Sequence, residues 1–420
     1  MNETANAFVL NELSERPKLI EKEVSGIAGQ RLFVKKIKKT VFESGLRIII
    51  LSGLRGSGKT TGLYQFFMET QIDKAFFSCD ELASRSIKLH EAVEALDFIN
   101  KQKIGFEKPF LLFLDEVTYL EKWDLSLKVL SDKRLKLFIL ATSSSCLPFK
   151  KSTELARRAF EIQAMPLSFR EFLLLKHDIN IPDELAKKIR ENIGKKSLEQ
   201  EYLQVLSRIG SFDLLALYND YVFHDLPASL KLSDDAYAQA VETMVKRVVY
   251  EDFSKYEKFE AKMLSSAETL IKYLSTIPAD GVKISKLSEV VGISKESVSR
   301  LLAAFENAAL IKGVEYKGRN RMYKKPRKWF FYSHSMRFIL AAPVSNKAEI
   351  IGNAREDSVF RHLQEISKNV FYSHECDFIT DEWNIEVGKN KKPRPGTIIV
   401  DASQKISLNT VPIPLLALAV

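Results

Sequence analysis

Four stretches in the first part of the chain carry apolar runs that end in acids or hydroxyls or lead into a glycine loop: LRIIILS (46–52), AFFSCDEL (75–82), PFLLFLDEV (109–117) and LKLFILATSSS (135–145). Continuous rather than alternating apolar character suits buried strands of a parallel sheet covered on both faces. Helical segments separate the runs, so the pattern predicts an α/β fold. Residues 180–260 read as helical, most clearly in SDDAYAQAVETMVKRVVYEDF, where Ser233 suits an N-cap and acids fill the first turn. In ISKLSEVVGISKESVSRLLAAFENAALI (284–311), Ser285 is expected to cap a short helix with Leu287, Val290 and Val291 inward. Gly292 makes a turn, and Ser294 caps a second helix that turns Val298, Leu301, Leu302 and Phe305 to the core. Two capped helices round a glycine turn form a helix-turn-helix. KGVEYKGRNRMYKKPRKWFFYS then reads as a two-stranded wing turning near Gly318-Arg319-Asn320. The closing VPIPLLALAV reads as an inner strand, too short to span a bilayer.

The chain has 420 residues, enough for about two to four domains. Its 45% hydrophobic and 28% charged content describes a globular rather than a disordered protein. With no run of about 18 apolar residues and no basic-then-apolar start, neither a membrane span nor a signal peptide is expected. Cys79, Cys146 and Cys376 are scattered, which fits a reducing cytoplasm better than a disulfide framework. Residues 281–340 hold 13 Lys and Arg against 4 Asp and Glu, a surplus of nine that equals the whole net charge of +9. One local surface therefore faces an anionic partner or is simply solvated.

The first apolar run leads into GLRGSGKTT, residues 53–61, and then the helical GLYQFFMET. This is G-x-x-x-x-G-K-[ST] in the strand–loop–helix setting that its chemistry requires. Gly53, Gly56, Ser57, Gly58, Lys59, Thr60 and Thr61 are expected to wrap a phosphate with their N–H groups inward, at a helix N-terminus that favours anions. Lys59 then reaches the β- and γ-phosphates, and the Thr60 hydroxyl ligates Mg²⁺. Asp115-Glu116 ends the third run, which puts a carboxylate at the C-terminal edge of a neighbouring parallel strand, where the metal sits. Asp115 is expected to hold Mg²⁺ through water and Glu116 to polarise the attacking water. Alone, the two acids would also suit capping of the next helix. Thr142, Ser143 and Ser144 end the fourth run; they suit either a γ-phosphate sensor or a turn.

LDEVTYLEKWDLSLKVLSDKRLKLFILATSSS, followed by ELARRAFEIQAMPLSFREFL, resembles the prokaryotic AAA-family P-loop ATPases of archaeal and bacterial type. Those proteins carry a P-loop, an aspartate-glutamate strand, a tryptophan helix (here Trp123) and a T-G-S-S-like strand end. A G-R … P-L-S-F-x-E-F segment follows, here Arg158 and then Pro166 to Phe172. Ser143 replaces the usual glycine and Arg157 the glycine of G-R, so the sensor is open. Which of Arg157 and Arg158 approaches the nucleotide is open too, and a surface loop explains both equally well. The resemblance implies ATP as nucleotide, a helical lid, a winged helix and a restriction-endonuclease-like tail. The expected order is an N-terminal arm (1–25), a P-loop core (26–180), a lid (181–260), a winged helix (261–340) and a nuclease-like domain (341–420).

If the winged helix binds duplex DNA, Lys295, Ser297, Ser299 and Arg300 face the major groove, while Lys317, Arg319, Arg321, Lys324 and Lys325 meet phosphates. Such modules also dock proteins. His177 and His224 read as ordinary loop or core residues. In the tail, Glu356, Asp377 and Glu386 resemble a nuclease metal site, but Gly388 stands two places after Glu386 where a lysine belongs. Lys389 points to the other face of a continuing strand, so this site reads as a remnant kept for packing or recognition. The expected function is Mg²⁺-dependent ATP binding and hydrolysis driving a conformational switch, coupled to DNA or a protein partner, with oligomers compatible. Two other readings stay open: a nucleotide-gated binding module with negligible turnover, and an ATP-driven metal-dependent nuclease.

Overall fold

In a computed structural model of the chain, the four apolar runs become β1 (Ile48–Ser52), β2 (Asp73–Ser78), β3 (Phe110–Asp115) and β4 (Leu137–Thr142). The structure describes residues 3–27, 29–43, 46–133, 136–143, 152, 154–155, 157–279, 281–317, 326–343, 346–388, 394–402 and 405–420. With β5 (Ala159–Gln163) the strands form one parallel sheet in the order β2-β3-β4-β1-β5. Consecutive apolar residues serve opposite faces: Ile48, Ile50, Leu112 and Leu114 lie in one core cluster, Ile49, Leu51, Leu111 and Phe113 in another. Among the described residues the α-helices of this unit are α1 (Glu3–Ser14), α2 (Arg16–Val24), α3 (Leu32–Glu43), α4 (Lys59–Glu69), α5 (Cys79–Ser84), α6 (Leu89–Ile99) and α7 (Trp123–Lys133). The expected N-terminal arm is thus α1 and α2, built into the core: Phe8 and Val9 enter the first cluster and Ile20 the second.

Compact units divide at Met165/Pro166 rather than near residue 180. The reason is local: Leu167, Phe169, Phe172 and Leu173 belong to the core of the second unit. There Ser168 caps α8 (Phe169–His177) in a capping box with Glu171. α9 (Asp183–Asn192), α10 (Glu199–Ile209), α11 (Leu214–Phe223) and α12 (Asp234–Arg247) follow, then a π-helical stretch, Val248–Glu257, and α13 (Ala261–Thr276). His224 is no plain core residue, since its Nδ1 lies 2.7 Å from Asp220, which also pairs with Lys176 at 2.8 Å.

α14 (Ile284–Val291) and α15 (Lys295–Asn307) flank the Gly292 turn and lead to an antiparallel ribbon of β6 (Ile311–Val314) and β7 (Lys328–Phe331). Ser294 caps α15 by accepting the Ser297 N–H at 3.1 Å, and Val298, Leu301, Leu302 and Phe305 are buried. Two expectations for α14 change: Lys283, not Ser285, is its N-cap, and Val290 is 42% exposed, which leaves Leu287 as the buried residue. The turn at Gly318-Arg319-Asn320 lies outside the described residues.

α16 (His334–Ala341) and α17 (Lys347–Ile366) precede a sheet of β8 (Phe378–Ile379), β9 (Asn384–Val387), β10 (Thr397–Asp401) and β11 (Thr410–Pro412), ordered β11-β10-β9-β8. The chain end, expected as a strand, is instead α18 (Ile413–Ala417), because Pro412 and Pro414 suit a helix start. Among the described residues no helix is long and apolar enough to cross a membrane.

Candidate functional site

β1 carries the chain to the C-terminal edge of the sheet, where Gly53, Gly56 and Gly58 take φ values of 134°, 75° and 83°. Gly58 is the N-cap of α4, so the loop's amides and the helix N-terminus converge on one place. At Gly53 a side chain is excluded twice over: by φ, and because a Cβ would overlap Ala164 O and stand 3.1 Å from Ala164 N. The Lys59 ammonium, 6% exposed, donates to Gly53 O at 3.0 Å and Leu54 O at 2.9 Å. Ser57 is fully buried; Thr61 is half-buried in the first turn of α4.

The Asp115 carboxylate does not come from the strand next to β1. β4 lies between β1 and β3, and Asp115 reaches across so that Thr60 Oγ1 is 3.1 Å from both of its oxygens. The intervening strand ends in buried Thr142, whose hydroxyl accepts the Glu116 N–H at 2.7 Å and donates to Asp115 Oδ1 at 2.6 Å. One hydroxyl therefore holds the Asp115 carboxylate and the Glu116 backbone. Burial raises the Asp115 carboxyl, while hydrogen bonds from Thr142 and Thr60 and the charge of Lys59 oppose the rise. Glu116 has φ 53°, a sharp break directly after β3.

Of the remaining sensor candidates, Ser143 is buried with its N–H bonded to Leu51 O at 3.1 Å, and Ser144 lies outside the described residues. Arg157 is exposed, and Arg158 pairs with Asp132 of α7 at 3.1 Å. Arg31 was not legible in the sequence. It is 5% exposed, its Nη1 donates to Ser57 O within the loop, and its Nη2 donates to Met165 O at 2.7 Å. Nothing in AGQRLF distinguishes it from a surface arginine. Thr60 and Asp115 present the hydroxyl and carboxylate oxygens that Mg²⁺ accepts alongside phosphate oxygens and water, so the residues fit that ion.

Residues 46–173 match the AAA domain family. Within this matched segment the five-stranded parallel α/β core has the fold of a P-loop NTPase, which supports nucleotide binding. The uncharacterized protein MJ1637 of Methanocaldococcus jannaschii is 27% identical over 92% of this chain and 85% of its own length. A second protein of that organism, MJ1544, is 24% identical over 88% of this chain and 76% of its own. Among solved structures, the Aeropyrum pernix ORC1 protein in complex with DNA aligns at TM-score 0.26 and 12% identity, over 73% of this chain and 90% of that one.

Outside the matched segment, Lys295 and Arg300 are exposed on α15, and the Arg300 guanidinium lies 5.1 Å from the Phe259 ring centre. Arg300, Lys258 and Lys262 line a cleft of about 520 Å³ with Ser294 and Ser297. The Lys317 N–H bonds Tyr372 O at 2.8 Å; Arg319, Arg321, Lys324 and Lys325 lie outside the described residues.

The three acids expected as a remnant metal site sit on α17 (Glu356), just before β8 (Asp377) and in β9 (Glu386). Burial pushes the Glu356 carboxyl up to about 7, with Asp377 adding to the rise and Lys328 opposing it. The lysine beside these acids comes from β7: Lys328 Nζ is 3.8 Å from Asp377 Oδ1. Gly388 has φ 132° and donates to Val400 O, and Lys389 lies outside the described residues. Among the described residues no group of three His, Cys, Asp or Glu side chains is placed to hold a metal ion.

Proposed function

We propose that the AAA domain hydrolyses ATP with Mg²⁺ and that the cycle switches the second unit between states of different partner affinity. The observation that carries this reading is the Thr60–Asp115–Thr142–Glu116 chain of hydrogen bonds beside the glycine loop. In it Lys59 binds the β- and γ-phosphates, and Thr60 and Asp115 hold the ion. Glu116, its backbone fixed by Thr142, orients the attacking water. The bound ion neutralises charge on the phosphate oxygens. The switch requires that nucleotide bind the two states unequally. The cationic surplus of residues 281–340 supports duplex DNA as the partner.

Purified protein is expected to release phosphate from ATP, with Lys59→Ala slower by about 100-fold or more, the loss typical of removing one charge-stabilising donor. Both are measured with and without duplex DNA at low salt, where phosphate contacts are strongest. Stimulation by DNA would support the nucleic-acid reading. Turnover indifferent to DNA would direct the search to protein partners, and equal turnover in Lys59→Ala would refute hydrolysis at this loop.

A further inference from the structure

The segment ahead of α3 is laid along α4. Gln65 Nε2 donates to Gly29 O at 2.8 Å, Gln30 bonds Glu69 at 2.9 Å, and the Phe33 ring fills the space that a Cβ on Gly62 would need. This fixes the Arg31 backbone against the helix that begins in the phosphate loop. Its guanidinium, 5.0 Å from the Phe33 ring centre, bridges Ser57 O and Met165 O. Burying a guanidinium is costly unless its donors are paired, and a planar fork holds its acceptors at a set separation.

Both acceptors are informative. Ser57 C=O and Gly58 N–H belong to one planar trans peptide, so they point in opposite directions. A phosphate that engages the Gly58 N–H therefore fixes where Ser57 O points, which is toward Arg31. Met165 is the last residue of the first unit. The residue before it is tied to the same loop, since the Ala164 N–H donates to Ser52 O at 2.7 Å and Ala164 abuts Gly53. The next carbonyl, that of Pro166, is held within the second unit by fully buried Arg361. Each carbonyl flanking the boundary thus has its own arginine.

We infer that Arg31 transmits phosphate occupancy of the loop to the polypeptide leaving β5 at Ala164–Met165. It is a positioning residue acting through the Ser57–Gly58 peptide, and the inference rests on nucleotide binding by the AAA domain. Amide hydrogen exchange is measured on the full chain with and without saturating MgADP. In wild type the nucleotide slows exchange about tenfold in residues 163–168 as well as in the loop, because local opening there becomes costlier. Arg31→Lys keeps the charge but loses the fork; it is expected to bind MgADP and to lose the slowing at 163–168. Melting curves without nucleotide, on Arg31→Lys and Arg31→Gln, identify the folded variant to be read. Slowing retained in that variant, or wild type that binds MgADP with no change at 163–168, overturns the inference alone. Wild type that binds no MgADP overturns it together with the proposed function.

Discussion

Arg337→Met is expected to destabilise the second unit by about 3–5 kcal/mol, the usual cost of leaving a buried charge without its partner. Arg337 and Asp357 are both fully buried and joined by two hydrogen bonds, one of them from Nη2 to Oδ1 at 3.1 Å. The same guanidinium also donates to Ile277 O at 2.8 Å and to Leu274 O and Trp329 O at 3.2 Å, while Asp357 accepts the Phe331 N–H at 2.9 Å. One ion pair therefore ties together α13, β7, α16 and α17, and removing the cation orphans groups on the other three. The pH dependence gives an independent check. Burial already raises Asp357 to about 6 against the pull of Arg337, so losing the arginine raises it further. A carboxyl with a raised folded pKa contributes stability at low pH and loses it as pH climbs through the folded value. The loss in Arg337→Met should thus be larger at pH 8 than at pH 5. Urea unfolding followed by tryptophan fluorescence reads this, since Trp329 and Trp383 lie in the second unit. A uniform loss below about 1 kcal/mol at both pH values would contradict it. Replacing both partners by apolar residues should recover much of the stability, because no lone charge then stays buried.

Strands and glycine loop were legible because their signals are local. β1, β3 and β4 are apolar at consecutive positions, and the loop's glycines and lysine sit at fixed spacing next to β1. The Ser294 cap and the inward row of α15 were legible for the same reason. What stayed hidden depended on long-range packing. The sequence cannot order parallel strands, so the intrusion of β4 between β1 and β3, which gives Thr142 its double hydrogen bond, emerges only in three dimensions. Arg31 reaches Met165 across most of the first unit, and no periodicity encodes such a contact. Lys328 stands near Asp377 from a different element than the Glu386 strand, so a linear motif could not locate it. Val290 keeps helical spacing yet faces water, because α14 is too short to bury more than one turn well.

The second large effect is expected at the first loop glycine. Gly53→Ala should weaken nucleotide binding by at least about tenfold and lower the stability of the first unit by about 2–5 kcal/mol. Two costs combine. A φ of 134° is one that residues with a Cβ rarely adopt, and the added carbon would press on the Ala164 carbonyl, which is backbone and cannot rotate away. Ala164 is itself held by its bond to Ser52 O, so relief requires the loop, β5 or both to move. Either displacement disturbs the amides that would cradle phosphate and the carbonyls that hold Lys59. Gly26→Ala separates the two costs: Gly26 lies in the same unit with φ 82°, but nothing stands within 4 Å of its built Cβ. That variant should lose only about 1–2 kcal/mol and leave nucleotide affinity unchanged. Thermal melts and titration with a fluorescent ATP analogue compare the pair. If Gly53→Ala matched Gly26→Ala in both measurements, the close approach of the loop to Ala164 would have no energetic weight. A deficit confined to Gly53→Ala would mean that contact with the strand leaving the sheet is part of what holds the phosphate loop in shape.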